Sequence, residues 1–153
     1  MGTETVVDFR QMTLDDYEAV MEIWRVAEGL CFSEADDFDG FSKFLQRNPK
    51  LSHVALVDGQ IVGGVLCGHD GRRGYLHHLA VLPEYRLHSI GTALAERCLA
   101  ELAREGITKS HIMVMKDNVT ALRFWQAIGW TPRTEIMTMS SKTSIYQWSR
   151  QEI

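Results

Sequence analysis

A chain of 153 residues, 45% of them hydrophobic, is long enough to bury one core and short for two, which predicts a single domain over residues 1–153. Its 16 Lys and Arg against 20 Asp and Glu give a net charge of −4, which argues against a nucleic-acid-binding surface and mildly favours a cationic substrate. No stretch approaches the roughly 20 apolar residues that span a bilayer, and the first residues lack a signal-peptide pattern, so we expect a cytoplasmic protein without a membrane partner.

Two capping signals and one turn signal organise the first half of the chain. Thr13 with Asp16, and Ser33 with Asp36, have the spacing of helix capping boxes and predict two helices. The Asp58-Gly59 pair between two apolar runs is a strong signal for a two-residue hairpin. The predicted order is a strand over 6–11, a helix over 13–28, a second helix that begins near 33 and stops at 48–49, and strands over 52–57 and 60–68.

The second half of the chain alternates strands with helices. A buried strand over 75–81 is followed by a helix that begins at Ser89 or Ile90 and that Gly106 ends as its C′ residue. The remaining predicted elements are a strand over 109–115, a helix over 118–128, two final strands over 130–133 and 135–139, and a tail over 140–153 that is either a last strand or partly disordered.

The turn after the strand over 75–81 is suited to bind a phosphate group. A helix start leaves backbone N–H groups without intrahelical partners and carries the positive end of the helix dipole. Arg86 lies in this turn, and Gly91 lies at the helix start, where a larger side chain would block close approach of the backbone. We expect this phosphate to belong to a cofactor.

Two motifs follow one another in this part of the chain. The first contains Arg86, Ser89 and Gly91, and the second, over 113–130, combines a strand, an Asn-x-x-Ala-x-x-Phe-aromatic helix and a Gly-aromatic exit. Together they resemble the signatures of the GNAT superfamily of acyl-CoA-dependent N-acetyltransferases. Ser89 stands where that family usually has its first glycine, and Leu87 stands where a further glycine is common. The resemblance implies an α/β (α+β) fold with a central mixed sheet and about four helices.

The resemblance also implies acetyl-CoA as co-substrate and a way of binding it. The strand over 75–81 would part from the strand over 109–115, and the pantetheine arm would hydrogen-bond the main chain in the gap. Asn118 has an equally good alternative role as a helix N-cap, and Trp125 has an alternative role in core packing. Trp125 stands where the family often has a tyrosine, and an indole N–H is no useful acid. Whether a general acid is used therefore stays open. The implied cofactor contacts are Leu79, Ala80, Val81, Arg86, Leu87, His88, Ser89, Ile90, Gly91, Thr92, Asn118 and Trp125.

The catalytic base is the second question, because an ammonium group must lose a proton before it attacks a thioester. Regular strand alternation places Tyr75, His77, Leu79 and Val81 on one face and His78 on the other. By resemblance, the face with His77 looks into the acceptor cleft. His77 is therefore the predicted base, directly or through a water, with Tyr75 beside it. The alternative is that His77 is a structural histidine.

The acceptor pocket is expected at the first two helices and their connection. This region mixes acidic with apolar side chains, which suits an amphipathic amine; the alternative is helix capping plus a solvated acidic loop. The acceptor is an amine of a small molecule or of a protein, and the sequence does not separate these classes. The residues concerned are Glu28, Glu34, Asp36, Asp37 and Asp39, with Leu30, Phe32 and Phe38.

Neither a metal site nor a disulfide framework is expected. Cys31, Cys67 and Cys98 are odd in number and far apart, without metal-ligand spacing. The alternative to an N-acetyltransferase is a catalytically silent acyl-CoA-binding or regulatory module on the same fold, which the departures at Ser89 and Trp125 keep open. Acyl-chain preference and oligomeric state stay open too, with a homodimer among the options.

Overall fold

The computed structural model describes residues 5–143, which fall into two compact units over 5–119 and 120–143. Among these residues there is one five-stranded sheet of order β1-β2-β3-β4-β5, antiparallel except for the parallel pair β4 and β5. The strands are β1 (Asp8–Gln11), β2 (His53–Val57), β3 (Gln60–His69), β4 (Gly74–Val81) and β5 (Ser110–Ile112), and the helices are α1 (Tyr17–Val26), α2 (Phe38–Arg47), α3 (Ile90–Arg104) and α4 (Val119–Ala127).

Helices cover both faces of the sheet in the first unit. On one face, Val20 and Trp24 of α1 and Phe41 of α2 form a buried core with Val54 and Leu66 of the sheet. On the other face, Leu94 and Leu102 of α3 lie against Gly63 and Gly74. This burial supplies most of the stability that fixes the two strands and helix starts of the candidate site.

Local signals predicted the central elements well. Asp58 and Gly59 have φ angles of +50° and +76°, as the predicted hairpin between β2 and β3 requires. Gly106 follows α3 with a φ of +82°, which confirms it as the residue that ends the helix. The mixed sheet with four helices among residues 5–143 confirms the predicted fold class.

Both capping boxes need a correction. Thr13 and Asp16 open a 3₁₀ turn, Leu14–Asp16, and α1 covers only Tyr17–Val26 of the predicted helix over 13–28. Ser33 and Asp36 do cap each other, but the element they open is only a 3₁₀ turn, Glu34–Asp36. The α2 helix begins afterwards, and its N-cap is Asp37, whose side chain accepts a hydrogen bond from the Gly40 N–H at 2.7 Å. Two successive capping residues therefore produce a turn and then a helix, which places Asp36 beside the sheet.

The predicted strands over 130–133 and 135–139 are wrong. Residues 131–143 are exposed, and none of them is in a strand. Ile136 and Met137 are 60% and 83% exposed, so the alternating pattern has no buried face, and such a face is what stabilises a short strand. The tail over 140–153 lies outside the described residues from 144 onward, and the single domain over 1–153 stays a prediction.

Candidate active site

The β4 and β5 strands separate after three residue pairs. Their ladder runs from Gly74 opposite Ser110 to Leu76 opposite Ile112, where β5 ends, so the predicted strand over 109–115 is shorter than expected. The β4 strand continues to Val81 without a neighbouring strand on that side among residues 5–143. Backbone groups on this free edge can hydrogen-bond an extended ligand chain, as a peptide does when it adds to a sheet.

A bulge interrupts β4 at this separation. Leu66 of β3 lies opposite His77, and Gly64 lies opposite Ala80, so one residue of β3 faces two of β4. His78 is one of the two β4 residues that face this single residue of β3. Its φ of +55° is rare for a residue with a side chain. The bulge bends the strand and changes which side chains share a face.

The predicted faces of β4 are therefore wrong beyond His77. Paired residues share a face of the sheet, so Tyr75, His77 and Ala80 point to the side covered by α1 and α2. Val81 pairs with Gly63 and lies on the α3 side instead. His78, expected on the face opposite His77, lines the same cavity as His77. Regular alternation fails here because the bulge adds a residue on one strand only.

The two histidines line a cavity of about 280 Å³ beneath α1 and α2. Aromatic rings form much of its wall, and Asp36 is the one residue of the predicted acidic group that lines it among the described residues. Leu30, Phe32 and Phe38, which were expected in the wall, are not among its lining residues, although the Phe32 ring packs on His78. The lining residues are Trp24, Cys31, Ser33, Ala35, Asp36, Gly40, Phe41, Phe44, Leu66, His77 and His78.

His78 is held by the Asp36 carboxylate. The Nε2 of His78 lies 2.8 Å from Oδ1 of Asp36, and these side chains are 15% and 11% exposed. The other carboxylate oxygen accepts a hydrogen bond from the Ser33 N–H at 2.9 Å. The His78 ring packs against the rings of Trp24 and Phe32, with centroid distances of 5.3 and 5.4 Å. The imidazole is thus fixed both by a charge and by two aromatic neighbours.

His77 occupies a less polar position. Its ring is edge-on to Phe44 at 5.8 Å and stacks on Tyr75 at 6.5 Å. Burial lowers the pKa of His77, as does the neighbouring His78, while the Asp36 carboxylate acts in the opposite direction. Within residues 5–143 the His77 ring makes no side-chain hydrogen bond.

The predicted phosphate turn joins β4 to α3. The Nε of Arg86 donates a hydrogen bond to the Val81 carbonyl at 3.3 Å, which brings the guanidinium to the end of β4. Leu87 and Ser89 have φ angles of +71° and +59°, so both adopt the left-handed conformation that favours glycine. Ser89 precedes the first residue of α3, and its side chain makes no capping hydrogen bond.

The other predicted cofactor contacts fall at separate places. Leu79, Ala80 and Val81 follow the bulge on β4, while His88, Ile90, Gly91 and Thr92 lie in the turn and first turn of α3. Asn118 precedes α4 and its side chain lies against Gly29. Trp125 lies in the second unit, where it is buried and packs against the rings of Phe124 and Trp130.

Sequence reasoning missed the pairing of Asp36 with His78. The two residues are 42 positions apart and lie on different elements, and an ion pair over such a separation has no local signature. The adjacent His77 and His78 near the end of the predicted strand were the one sign of this pairing in the sequence. The aromatic lining was also missed, since Trp24, Phe41 and Phe44 have the helical spacing of ordinary core residues.

Two features are absent from the described part of the chain. No helix among residues 5–143 has the length and apolar character needed to cross a membrane. Nor does that range contain a group of three or more His, Cys, Asp or Glu side chains arranged to hold a metal ion.

Known proteins are similar to this chain in sequence. The sequence model of the acetyltransferase (GNAT) family matches residues 17–130. An acetyltransferase of Pectobacterium atrosepticum is 36% identical over 120 residues, 78% of this chain and 82% of the relative. An acetyltransferase of Yersinia pestis is 32% identical over 131 residues, 86% of this chain and 92% of the relative.

Solved structures share the fold at low sequence identity. Aminoglycoside N-acetyltransferase AAC(6')-Iy in complex with CoA has a TM-score of 0.75 at 18% identity, covering 93% of this chain and 99% of that one. PaiA N-acetyltransferase from Thermoplasma acidophilum, in complex with coenzyme A, has a TM-score of 0.72 at 18% identity, covering 82% and 90%.

Proposed function

Because the chain belongs to the GNAT acetyltransferase family, we propose that it transfers the acetyl group of acetyl-CoA to an amine by direct attack. The observation that carries this proposal is the free edge of β4 beside the cavity lined by His77 and His78. A thioester held along that edge and an amine held in that cavity would meet at the bulge. Positioning of two reactants in this way supplies much of the rate of such reactions.

The residues present fit acetyl-CoA. The free edge after Leu76 suits the pantetheine arm, which would hydrogen-bond the main chain of Leu79, Ala80 and Val81. The left-handed conformations of Leu87 and Ser89 shape the turn before α3 for the pyrophosphate. The remaining proposed contacts of the first unit are Arg86, His88, Ile90, Gly91, Thr92 and Asn118, and the contact of Trp125 stays a prediction from the sequence. Structures of similar fold that hold CoA support this assignment.

The chemistry requires a proton acceptor near the amine. The amine nitrogen bonds to the thioester carbonyl carbon, the carbon–sulfur bond breaks, and the nitrogen loses one proton. A backbone N–H at the free edge would polarise the carbonyl. Two imidazoles are in reach of this cavity: His77, the base predicted from the sequence with Tyr75 beside it, and His78. Tyr75 stacks on His77 and lies outside the lining given above, so its proposed role is to hold that ring.

The cavity supports an amine acceptor with an apolar part. Trp24, Phe41 and Phe44 provide aromatic walls, and Asp36 provides one carboxylate. A volume of about 280 Å³ suits a small amine or one amino-acid side chain or amino terminus of a protein. Both acceptor classes therefore stay within the proposal. The cytoplasmic location and a homodimer stay predictions.

A thiol-release screen tests the proposed function. Purified protein is incubated with acetyl-CoA and a library of primary amines, and free CoA thiol is measured; release that depends on one class of amine is the expected result. Thermal-shift titration with acetyl-CoA runs in parallel, because a ligand that binds the folded state raises the Tm. A Tm rise without thiol release for any amine would favour the silent acyl-CoA-binding module. The absence of both responses would contradict the proposal.

A further inference from the structure

The backbone of β4 is distorted at one histidine of the cavity. A regular strand would turn the side chain of His78 away from His77, and the bulge instead brings both rings to the α1 and α2 side. The φ of His78, +55°, is unfavourable for any residue with a Cβ. Such conformations persist where the surrounding structure enforces them, and they are concentrated at functional sites.

The hydrogen bond to Asp36 determines which nitrogen of His78 is basic. A carboxylate only accepts, so the Nε2 of His78 carries the hydrogen that points to Oδ1 at 2.8 Å. Nδ1 then holds the lone pair, and no hydrogen bond to Nδ1 occurs within residues 5–143. The carboxylate cannot turn away easily, because its second oxygen accepts from the Ser33 N–H.

The surroundings of the two histidines differ in charge. An imidazolium at His78 would lie directly against the Asp36 carboxylate. The ring contacts of His77 are with Phe44 and Tyr75, and Asp36 acts on it only from farther away. Within the described part of the chain, the other titratable groups facing this region are Cys31, which lines the cavity, and Tyr17, whose hydroxyl donates to the Asp36 main-chain carbonyl at 2.9 Å. Trp24 of α1 and Phe41 of α2 complete the wall without charge.

We propose that His78 is the base that takes the proton of the acceptor amine and that Asp36 is its positioning residue, an inference that rests on the proposed acetyl transfer. The proton passes from the amine nitrogen to Nδ1 of His78 as the carbon–nitrogen bond forms and the carbon–sulfur bond breaks. The leaving CoA thiolate then takes a proton from the imidazolium or from water, so that the products are an acetamide and CoA thiol. Asp36 stabilises the transient imidazolium and stays ionised.

The first test is His78→Gly with added imidazole. Glycine adopts a φ of +55° without strain, so this variant keeps the backbone of the bulge and leaves a space the size of the lost ring. We expect kcat/KM to fall by about 10²-fold or more, as for a lost general base, with acetyl-CoA affinity unchanged by thermal shift. Imidazole in the buffer restores part of the turnover, in proportion to its neutral form.

The second test is the pH profile of Asp36→Asn. Removal of the negative charge disfavours the imidazolium, so the acidic limb of kcat/KM moves to lower pH while the plateau falls. A residue that only supports the fold would change the plateau without moving the limb.

The matched variant is His77→Gly, which removes a ring from the same cavity. Its turnover is not restored by imidazole if His78 is the base. The assignment is overturned if imidazole restores the turnover of His77→Gly. It is also overturned if His78→Gly keeps its turnover or is not restored by imidazole, or if the acidic limb of the pH profile does not move in Asp36→Asn. The wild-type protein is assayed first: if it binds acetyl-CoA but releases no thiol with any amine, the proposed function itself fails, and the assignment of a base falls with it.

Discussion

Replacement of Ser89 by glycine measures the strain in the turn before α3. Ser89 has a φ of +59° and a ψ of 21°, and its side chain makes no capping hydrogen bond that would be lost. A residue with a Cβ is disfavoured there by about 1–2 kcal/mol. Glycine removes this strain but increases the entropy of the unfolded chain, which destabilises by about 0.4–1 kcal/mol. The net stabilisation is roughly 0.5–1 kcal/mol, or a Tm increase of about 1–4 °C.

Thermal unfolding followed by circular dichroism measures this change. Ala100→Gly is the matched control, because Ala100 is exposed in the middle of α3, where glycine destabilises by about 1 kcal/mol. The two substitutions are therefore expected to move the Tm in opposite directions. A decrease for Ser89→Gly as large as that for Ala100→Gly would refute the strain argument.

The same variant separates conformation from ligand contact. If the turn needs only a left-handed residue, calorimetry of Ser89→Gly gives an acetyl-CoA affinity that is unchanged or tighter. A tenfold loss, about 1.4 kcal/mol, would identify the hydroxyl as a phosphate ligand. Leu87→Gly makes the same backbone change at a fully exposed apolar side chain, so it reports the conformational part alone.

Three further substitutions probe the site and the core. Gly91→Glu should abolish the acetyl-CoA thermal shift by steric and charge repulsion at the proposed phosphate site, whereas Ala100→Glu, on the exposed side of the same helix, should preserve it. Gly40→Ala should lower stability by about 1–3 kcal/mol and reduce turnover, because the Cβ of the new alanine would overlap the main-chain carbonyl of Ala35 in the cavity wall. An unchanged Tm and kcat would contradict this packing. Burial lowers the pKa of His53, so the neutral His53 side chain contributes fully to stability above about pH 6.5, and this contribution is lost as the pH falls below that value. In urea unfolding from pH 8 to 5, the free energy of unfolding should depend less on pH in His53→Gln than in the wild type. An equal pH dependence would refute this role of His53.

The parts of the fold that were predictable have signals within a few residues. Asp58-Gly59 predicts its hairpin because the turn needs two left-handed residues, and the structure has both. The helix after the phosphate turn was placed to within one residue, since its start and its Gly106 end are both marked locally. The predicted strands over 130–133 and 135–139 failed because alternation alone does not say whether a partner strand exists.

The bulge was not predictable in the same way. Nothing in the run Tyr75–Val81 departs from a regular buried strand, and the extra residue is visible only from the register against β3. That one residue decides whether His78 faces α3 or the cavity. The position of Asp36 depends on a second non-local fact, that its capping box opens a 3₁₀ turn packed beside the sheet and not α2 itself.

The two halves of the candidate site differ in how strongly they constrain the sequence. The proposed cofactor half is a continuous run of main chain from β4 into α3, so its demands are on backbone conformation, and Leu87 and Ser89 show that residues other than glycine can meet them. The proposed acceptor half is built from side chains of α1, α2, the intervening 3₁₀ turn and β4, which come together only in the folded chain. Substitutions in that half can change the acceptor without altering the motifs that identify the family. Experiments on the side chains of the cavity around Asp36 and His78 are therefore the ones that would identify the proposed amine acceptor.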